Sequence, residues 1–190
     1  MQIYDTVLPD VKLIKPQVFG DNRGYFLESW NQAKYTDSGI DCNWIQDNES
    51  KSKYGVLRGL HYQAAPYTQA KLVRVIDGRV LDIAVDIRKN SPTFGKYLAV
   101  ELSGENKYQL FIPRGFAHGF AVLSESAVFA YKCDNRYMPS HERGIAFNDP
   151  AIGIDWQIDL AQALLSEKDQ HNPLLADAEI FDYNRQDYLS

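Results

Sequence analysis

Alternation is the feature that most constrains this chain. Across residues 79–87, Leu81, Ile83, Val85 and Ile87 take one set of alternate positions while Val80, Asp82, Ala84 and Asp86 take the other, the period of two expected of a β-strand with two distinct faces. Residues 71–76 are β-branched and alternate in the same way, and Asp77-Gly78 between the two runs supplies residues suited to a tight turn. The spacing predicts a hairpin. Further apolar or aromatic runs lie at 96–102, 108–113, 116–123 and 127–133, with earlier ones at 11–19, 25–30 and 56–63. So many short strands, parted by Gly, Ser, Asn and Pro, predict a mainly β fold, a β-sandwich or barrel of jelly-roll type. Helix is expected only at 31–38 and at 160–165, the second capped by Asp159. The polar and aromatic segment 177–190 is expected to form a short helix or to drape over the surface.

The 190 residues show no fixed repeat, no low-complexity tract and no linker, so residues 1–190 read as a single domain. With 45% hydrophobic and 13% aromatic residues the chain can close a core, which excludes intrinsic disorder. Its 20 Lys and Arg against 25 Asp and Glu give a net charge of −5, the wrong balance for a general nucleic-acid binder. Cys42 and Cys133 stand outside any CxxC pair, and no apolar stretch approaches a membrane span. A cytoplasmic protein with neither nucleic acid nor membrane as partner is expected.

Several runs carry polar groups that a purely structural strand rarely needs. Gly55-Val-Leu-Arg-Gly-Leu-His-Tyr-Gln63 holds Arg58 and His61, for which a surface charge and a packed histidine are as good a reading as chemistry. His118, on one face with Phe116 and Phe120, reads alone as packing, and Tyr131 after Ala127 and Phe129 reads alone as a core aromatic. Lys168 and Asp169 read alone as a solvated charge pair. A metal-binding barrel would use a His-x-His pair on one strand, and here that place reads His61-Tyr62-Gln63, so a site without metal is favoured. No phosphate-binding glycine loop and no serine nucleophile elbow are present.

Taken in order, these runs resemble the dTDP-4-dehydrorhamnose 3,5-epimerases of the cupin superfamily. The resemblance covers residues 21–173 and rests on Asp21-Asn-Arg-Gly24, Gln46-Asp-Asn48, the 55–63 run, Gln69-Ala-Lys-Leu-Val-Arg74, Asp82-Ile-Ala-Val-Asp-Ile-Arg88, Ser91-Pro-Thr-Phe-Gly95, Ile112-Pro-Arg-Gly-Phe-Ala-His-Gly-Phe120, Tyr131-Lys132, Asn148-Asp-Pro150 and Ser166-Glu-Lys-Asp169. It implies a cupin jelly roll in a strand-exchanged homodimer, and an isomerase that inverts C3 and C5 of dTDP-4-dehydro-6-deoxy-D-glucose without a cofactor. Both centres lie α to the C4 ketone. Such chemistry needs a base, a group to oppose the enolate charge, and an acid on the other face of the ring.

The resemblance implies His61 as base, Asp169 as its partner, Lys71 beside the enolate oxygen and Tyr131 as the acid. For the dTDP-sugar it implies Arg23, Arg58 and Lys168 near the pyrophosphate, Glu28, Gln46, Asp47 and Asn48 at base and sugar, His118 and Glu142 at the substrate end, and Tyr137 stacked on thymine. Some of these, the Arg23 region among them, would come from the partner subunit. Three other readings stay open: an epimerase acting at one centre of a related sugar, a non-catalytic sugar-nucleotide-binding cupin, and a metal-dependent cupin. One geometrical difficulty is visible in advance. Arg58 and His61 are three positions apart and so face opposite ways on a regular strand; either Gly59 hosts a bulge that re-aims one of them, or Arg58 reaches a different part of the ligand.

Overall fold

The computed structural model of the protein describes residues 1–189. Its strands are β1 (Gln2–Asp5), β2 (Lys12–Lys15), β3 (Val18–Asp21), β4 (Gly24–Leu27), β5 (Gln46–Lys53), β6 (Leu57–Gln63), β7 (Lys71–Asp77) and β8 (Arg79–Asp86). The later strands are β9 (Arg88–Lys89), β10 (Tyr97–Ser103), β11 (Gln109–Ile112), β12 (Phe116–Val122), β13 (Ser126–Cys133), β14 (Glu142–Gly144) and β15 (Phe181–Asp182). Among the described residues the only α-helix is α1 (Gln32–Thr36), where the Asn31 side chain accepts the N–H of Lys34 and satisfies one of the donors a helix start leaves free.

Two antiparallel sheets make the body, in the orders β1-β2-β11-β7-β13-β5 and β10-β8-β12-β6-β14. They pack face to face over a core drawn from both, with Val73, Val75, Leu110, Ala127 and Phe129 from the first meeting Val80, Ala84, Leu102, Phe116, Phe120 and Val122 from the second. The fold is mainly β, as the alternation predicts. It is a sandwich, however, and not a closed barrel, because among the described residues no ladder joins one sheet to the other.

The predicted hairpin is a second correction. β7 and β8 lie in different sheets, and Gly78 (φ +77°) turns the chain through the corner between them. The turn's own polar groups are claimed from elsewhere: Gly104 N–H donates to Gly78 O, Arg79 N–H to Ser124 Oγ, and Leu123 N–H to Arg79 O. A Cβ at position 78 would stand 2.0 Å from Ser126 O, so this corner admits only glycine.

Both faces of β8 are therefore covered. Its Leu81, Ile83 and Val85 side, continued by Ile87 just beyond the strand, packs in a second core with Trp156, Leu175, Phe181 and Tyr188. The last two belong to the segment after residue 177, which drapes over the sheet as expected, pairing β15 in parallel with β9. At 160–165 the Asp159 cap forms, accepting Ala161 N–H, but the helix is one 3₁₀ turn, Leu160–Gln162. Leu164 is drawn away to exchange backbone hydrogen bonds with Gly55 and Leu57. The 11–19 run is cut at Pro16 into β2 and β3. β3 and β4 then form a separate two-stranded ribbon that leaves Phe19, Tyr25 and Phe26 exposed.

Candidate active site

On β6, His61 is paired with His118 of β12, while Arg58 is paired with Phe120. Three steps on β6 match two on β12, so one residue is extra and the strand is bulged at Gly59. The bulge resets the alternation. Arg58 and His61 both face the space between the sheets, while Leu57, Leu60 and Tyr62 turn to the outer core. Gly59 sits at φ +131°, and a Cβ there would be 2.6 Å from Gly119 Cα; a Cβ on Gly119 would be 2.7 Å from Arg58 O. Two glycines in contact make the re-aiming possible.

The space so lined is a cavity of about 430 Å³, within the usual range for small-molecule sites. One wall is the five-stranded sheet, contributing Arg58, His61, His118, Phe120 and Glu142; the other is the six-stranded sheet, contributing Gln46, Asn48, Lys71, Phe129, Tyr131 and Cys133. His61 Nε2 lies 2.5 Å from Asp169 Oδ1. Asp169 is buried at the start of a 3₁₀ turn, Asp169–His171. Burial acts to raise its pKa, but hydrogen bonds from the His61 ring, Ser166 and the Gly59 backbone outweigh that and hold the carboxyl below the usual range. An ionised carboxylate only accepts, so Nε2 of His61 is the donor in this pair, and in the neutral form of the ring it is Nδ1 that carries the lone pair.

Tyr131 stands on the opposite wall, at the end of an aromatic row in which Phe120 and Phe129 stack at 4.2 Å and Phe129 meets Tyr131 at 6.0 Å between centroids. Burial pushes its phenol pKa up, so it holds its proton at neutral pH. Lys71 opens β7 beside Cys133. Desolvation pulls its ammonium pKa down, opposed by Cys133, Asp82 and Glu142. Burial likewise lowers the His118 pKa against the pull of Asp82, whose Oδ2 lies 2.9 Å from His118 Nε2.

At the mouth one carboxylate oxygen gathers two donors: Tyr137 Oη donates to Glu142 Oε2 at 2.9 Å and Lys168 Nζ to the same atom at 2.7 Å. Gln46 Oε1 accepts the Tyr137 N–H, and Arg58 Nε donates to Ser52 Oγ at 3.2 Å.

Of the sequence-predicted residues, His61, Lys71, Tyr131, Gln46, Asn48, Arg58, His118, Tyr137 and Glu142 line this cavity. Asp169 and Lys168 bond directly to two of them. Three do not reach it. Asp47 alternates with Gln46 and Asn48 on β5, so it points to the outer face and pairs with Lys132. Arg23 is at the tip of the exposed ribbon, paired with Asp21. Glu28 pairs with Lys34 beside α1. Sequence reasoning noted Gln63 as a polar member of the 55–63 run without assigning it a role; its amide ties Tyr67 O and Arg136 O, and its Oε1 accepts the Met138 N–H. Its signal was two positions from His61, on the same face. Phe129 and Cys133, alternate with Tyr131, were missed as lining residues in the same way.

Among the described residues no cluster of three His, Cys, Asp or Glu side chains suits a metal ion, and no helix is long and apolar enough to cross a membrane. A family model described as dTDP-4-dehydrorhamnose 3,5-epimerase matches residues 5–177. The chain is 53% identical over 182 residues to a dTDP-4-dehydrorhamnose 3,5-epimerase of Shigella flexneri, covering 95% of this chain and 99% of the relative. The fold is similar to the crystal structure of dTDP-6-deoxy-D-glucose-3,5-epimerase RmlC from Legionella pneumophila in complex with dTDP-4-keto-L-rhamnose, with a TM-score of 0.92, 48% identity, and coverage of 96% of this chain and 98% of that one. It is also similar to ChmJ, a 3′-monoepimerase from Streptomyces bikiniensis in complex with dTDP-quinovose, with a TM-score of 0.90, 31% identity, and coverage of 97% and 96%.

Proposed function

The chain belongs to the dTDP-4-dehydrorhamnose 3,5-epimerase family, and from that premise we propose how its cavity carries out the reaction. The protein is an isomerase that converts dTDP-4-dehydro-6-deoxy-D-glucose to dTDP-4-dehydro-L-rhamnose in dTDP-L-rhamnose biosynthesis. One observation carries the mechanism: the His61–Asp169 pair and the Tyr131 phenol stand on opposite sheets of one cavity. A sugar ring held between them is deprotonated on one face and reprotonated on the other, which is inversion.

His61 Nδ1 takes the proton α to the C4 ketone, and the C–H electron pair moves into the enolate. Asp169 holds the ring's tautomer and offsets the imidazolium charge that forms. Lys71 opposes the negative charge on O4, and the raised Tyr131 phenol gives its proton to the opposite face. The ketone itself acidifies both carbons. The chemistry needs no organic cofactor and no electron transfer.

Arg58 and Lys168 suit the pyrophosphate, Arg through its planar paired donors, and Gln46, Asn48 and Tyr137 suit the base and neighbouring sugar. We extend the proposal to a cupin-type jelly roll assembled as a homodimer, in which the exposed Phe19, Tyr25 and Phe26 of the ribbon are covered and Arg23 and Glu28 complete the site of a second copy. Unpaired Cys42 and Cys133 support a reducing, cytoplasmic setting. The similarity to a 3′-monoepimerase keeps a single-centre reaction as the second reading. Incubation with dTDP-4-dehydro-6-deoxy-D-glucose in deuterated water separates them: label at both C3 and C5 is expected, label at one carbon selects the second reading, and no label at either overturns the enzyme.

A further inference from the structure

Among the buried acids that the epimerisation chemistry leaves unused, Asp82 is the one with an unpartnered oxygen. Asp82 lies at the middle of β8, fully buried, on the face it shares with Val80 and Ala84 of the inter-sheet core. Its Oδ2 accepts from His118 Nε2 at 2.9 Å, but Oδ1 has no hydrogen-bond partner among the described residues. A buried carboxylate with half its acceptor capacity empty is costly, and an apolar residue would fill the strand's pattern at less cost. The cation coupled to it by charge is Lys71, which lines the cavity from the opposite sheet beside His118 and whose ammonium makes no hydrogen bond among the described residues. The other groups that face Lys71 are Cys133 on β13, Glu142 on β14 and His118 on β12. Glu142 is engaged with Lys168 and Tyr137, and burial pushes the Cys133 thiol up to about 11, which keeps it neutral. Of the groups around Lys71, Asp82 is then the buried anion whose charge is not already matched by a lysine or arginine within hydrogen-bond reach.

We propose that Asp82 is a positioning residue for the oxyanion end of the site, holding the His118 ring through Oδ2 and favouring the charged form of the Lys71 ammonium through its buried negative charge. Without that negative charge, desolvation between the sheets favours neutral Lys71, and a neutral amine does not offset an enolate. This inference rests on the epimerase reading, and its test separates the two. Deuterium incorporation by the unsubstituted protein tests the epimerase; the pH profile of Asp82→Asn tests Asp82. The expected result is a fall in kcat of tenfold or more at pH 8, a KM within about threefold, and an alkaline limb displaced toward lower pH by about one unit. A profile of unchanged shape, or a loss that is uniform across pH, overturns the proposal. Should Asp82→Asn fail to fold, Asp82→Ser is read in the same way. The intact protein gives an independent reading by ¹³Cε-lysine NMR, with Lys71 assigned by Lys71→Arg. A Lys71 still protonated at pH 8 supports the proposal, and one already neutral at pH 7.5 overturns it.

Discussion

His61 and Tyr131 act on opposite faces of the same ring, so their substitutions should fail differently. His61→Ala removes the base and is expected to abolish deuterium incorporation at both carbons, read by NMR of recovered sugar nucleotide. Tyr131→Phe leaves the base, and some exchange should persist while inversion at C5 falls by about two orders of magnitude or more, the scale of a lost general acid. A fully active Tyr131→Phe would displace the phenol from its role. These residues were legible because His and Tyr are conspicuous in apolar strands, though by itself Tyr131 reads as packing and His61 reads equally as packing or chemistry. Their convergence came only from the ordered resemblance. Asp82 showed as a polar break in β8, yet its significance lies in His118 of β12, a pairing that spacing along the chain does not encode.

At the scale of elements, the β6 bulge decides whether there is a site. Gly59→Ala places a methyl against Gly119 Cα at a positive φ, and is expected to cost about 2 kcal/mol or more of stability. Activity should fall beyond what the unfolded fraction explains, since His61 and Arg58 lose their shared face; denaturation and exchange rate measured on the same sample separate the two. The Arg58–His61 spacing left two alternatives, a bulge at Gly59 or an Arg58 reaching elsewhere on the ligand, and the register of β6 on β12 selects the bulge. The partnership of β7 and β8 was not anticipated. Asp77-Gly78 records that the chain turns, while the choice between a hairpin and a corner depends on which strands take up the turn's hydrogen bonds, here from Gly104, Leu123 and Ser124. In the same way Asp159 marks a helix start correctly, but pairing with Gly55 and Leu57 ends it within one turn. Local signals locate starts and turns; partners far along the chain decide how long an element runs and which sheet it joins.

For the whole molecule, acid is expected to act first where the second core is tied down. Asp86, fully buried, accepts from Arg88, Ser91 and Thr93, and Arg88 also reaches Asp10. Burial acts to raise the Asp86 pKa, but these donors prevail and hold it below the usual carboxylate value. Its stabilising contribution is therefore complete above the unfolded pKa near 4 and is lost as pH falls through the lower folded value. Asp86→Asn should lower Tm at pH 7 and flatten the fall in Tm below pH 4, read by thermal melts across pH. A parallel fall in both proteins would remove Asp86 from the acid response.

The ribbon of β3 and β4 carries Arg23 away from the cavity of its own chain, and this has a genetic consequence. If that arm serves a neighbour, Arg23→Ala and His61→Ala damage different halves of a composite site. Two inactive proteins, co-expressed or unfolded and refolded together, should then complement one another. Random pairing of equal amounts in a two-fold dimer leaves about a quarter of the sites intact, and activity should return to about that level. Mixed proteins that stay inactive would show that each chain works with its own arm.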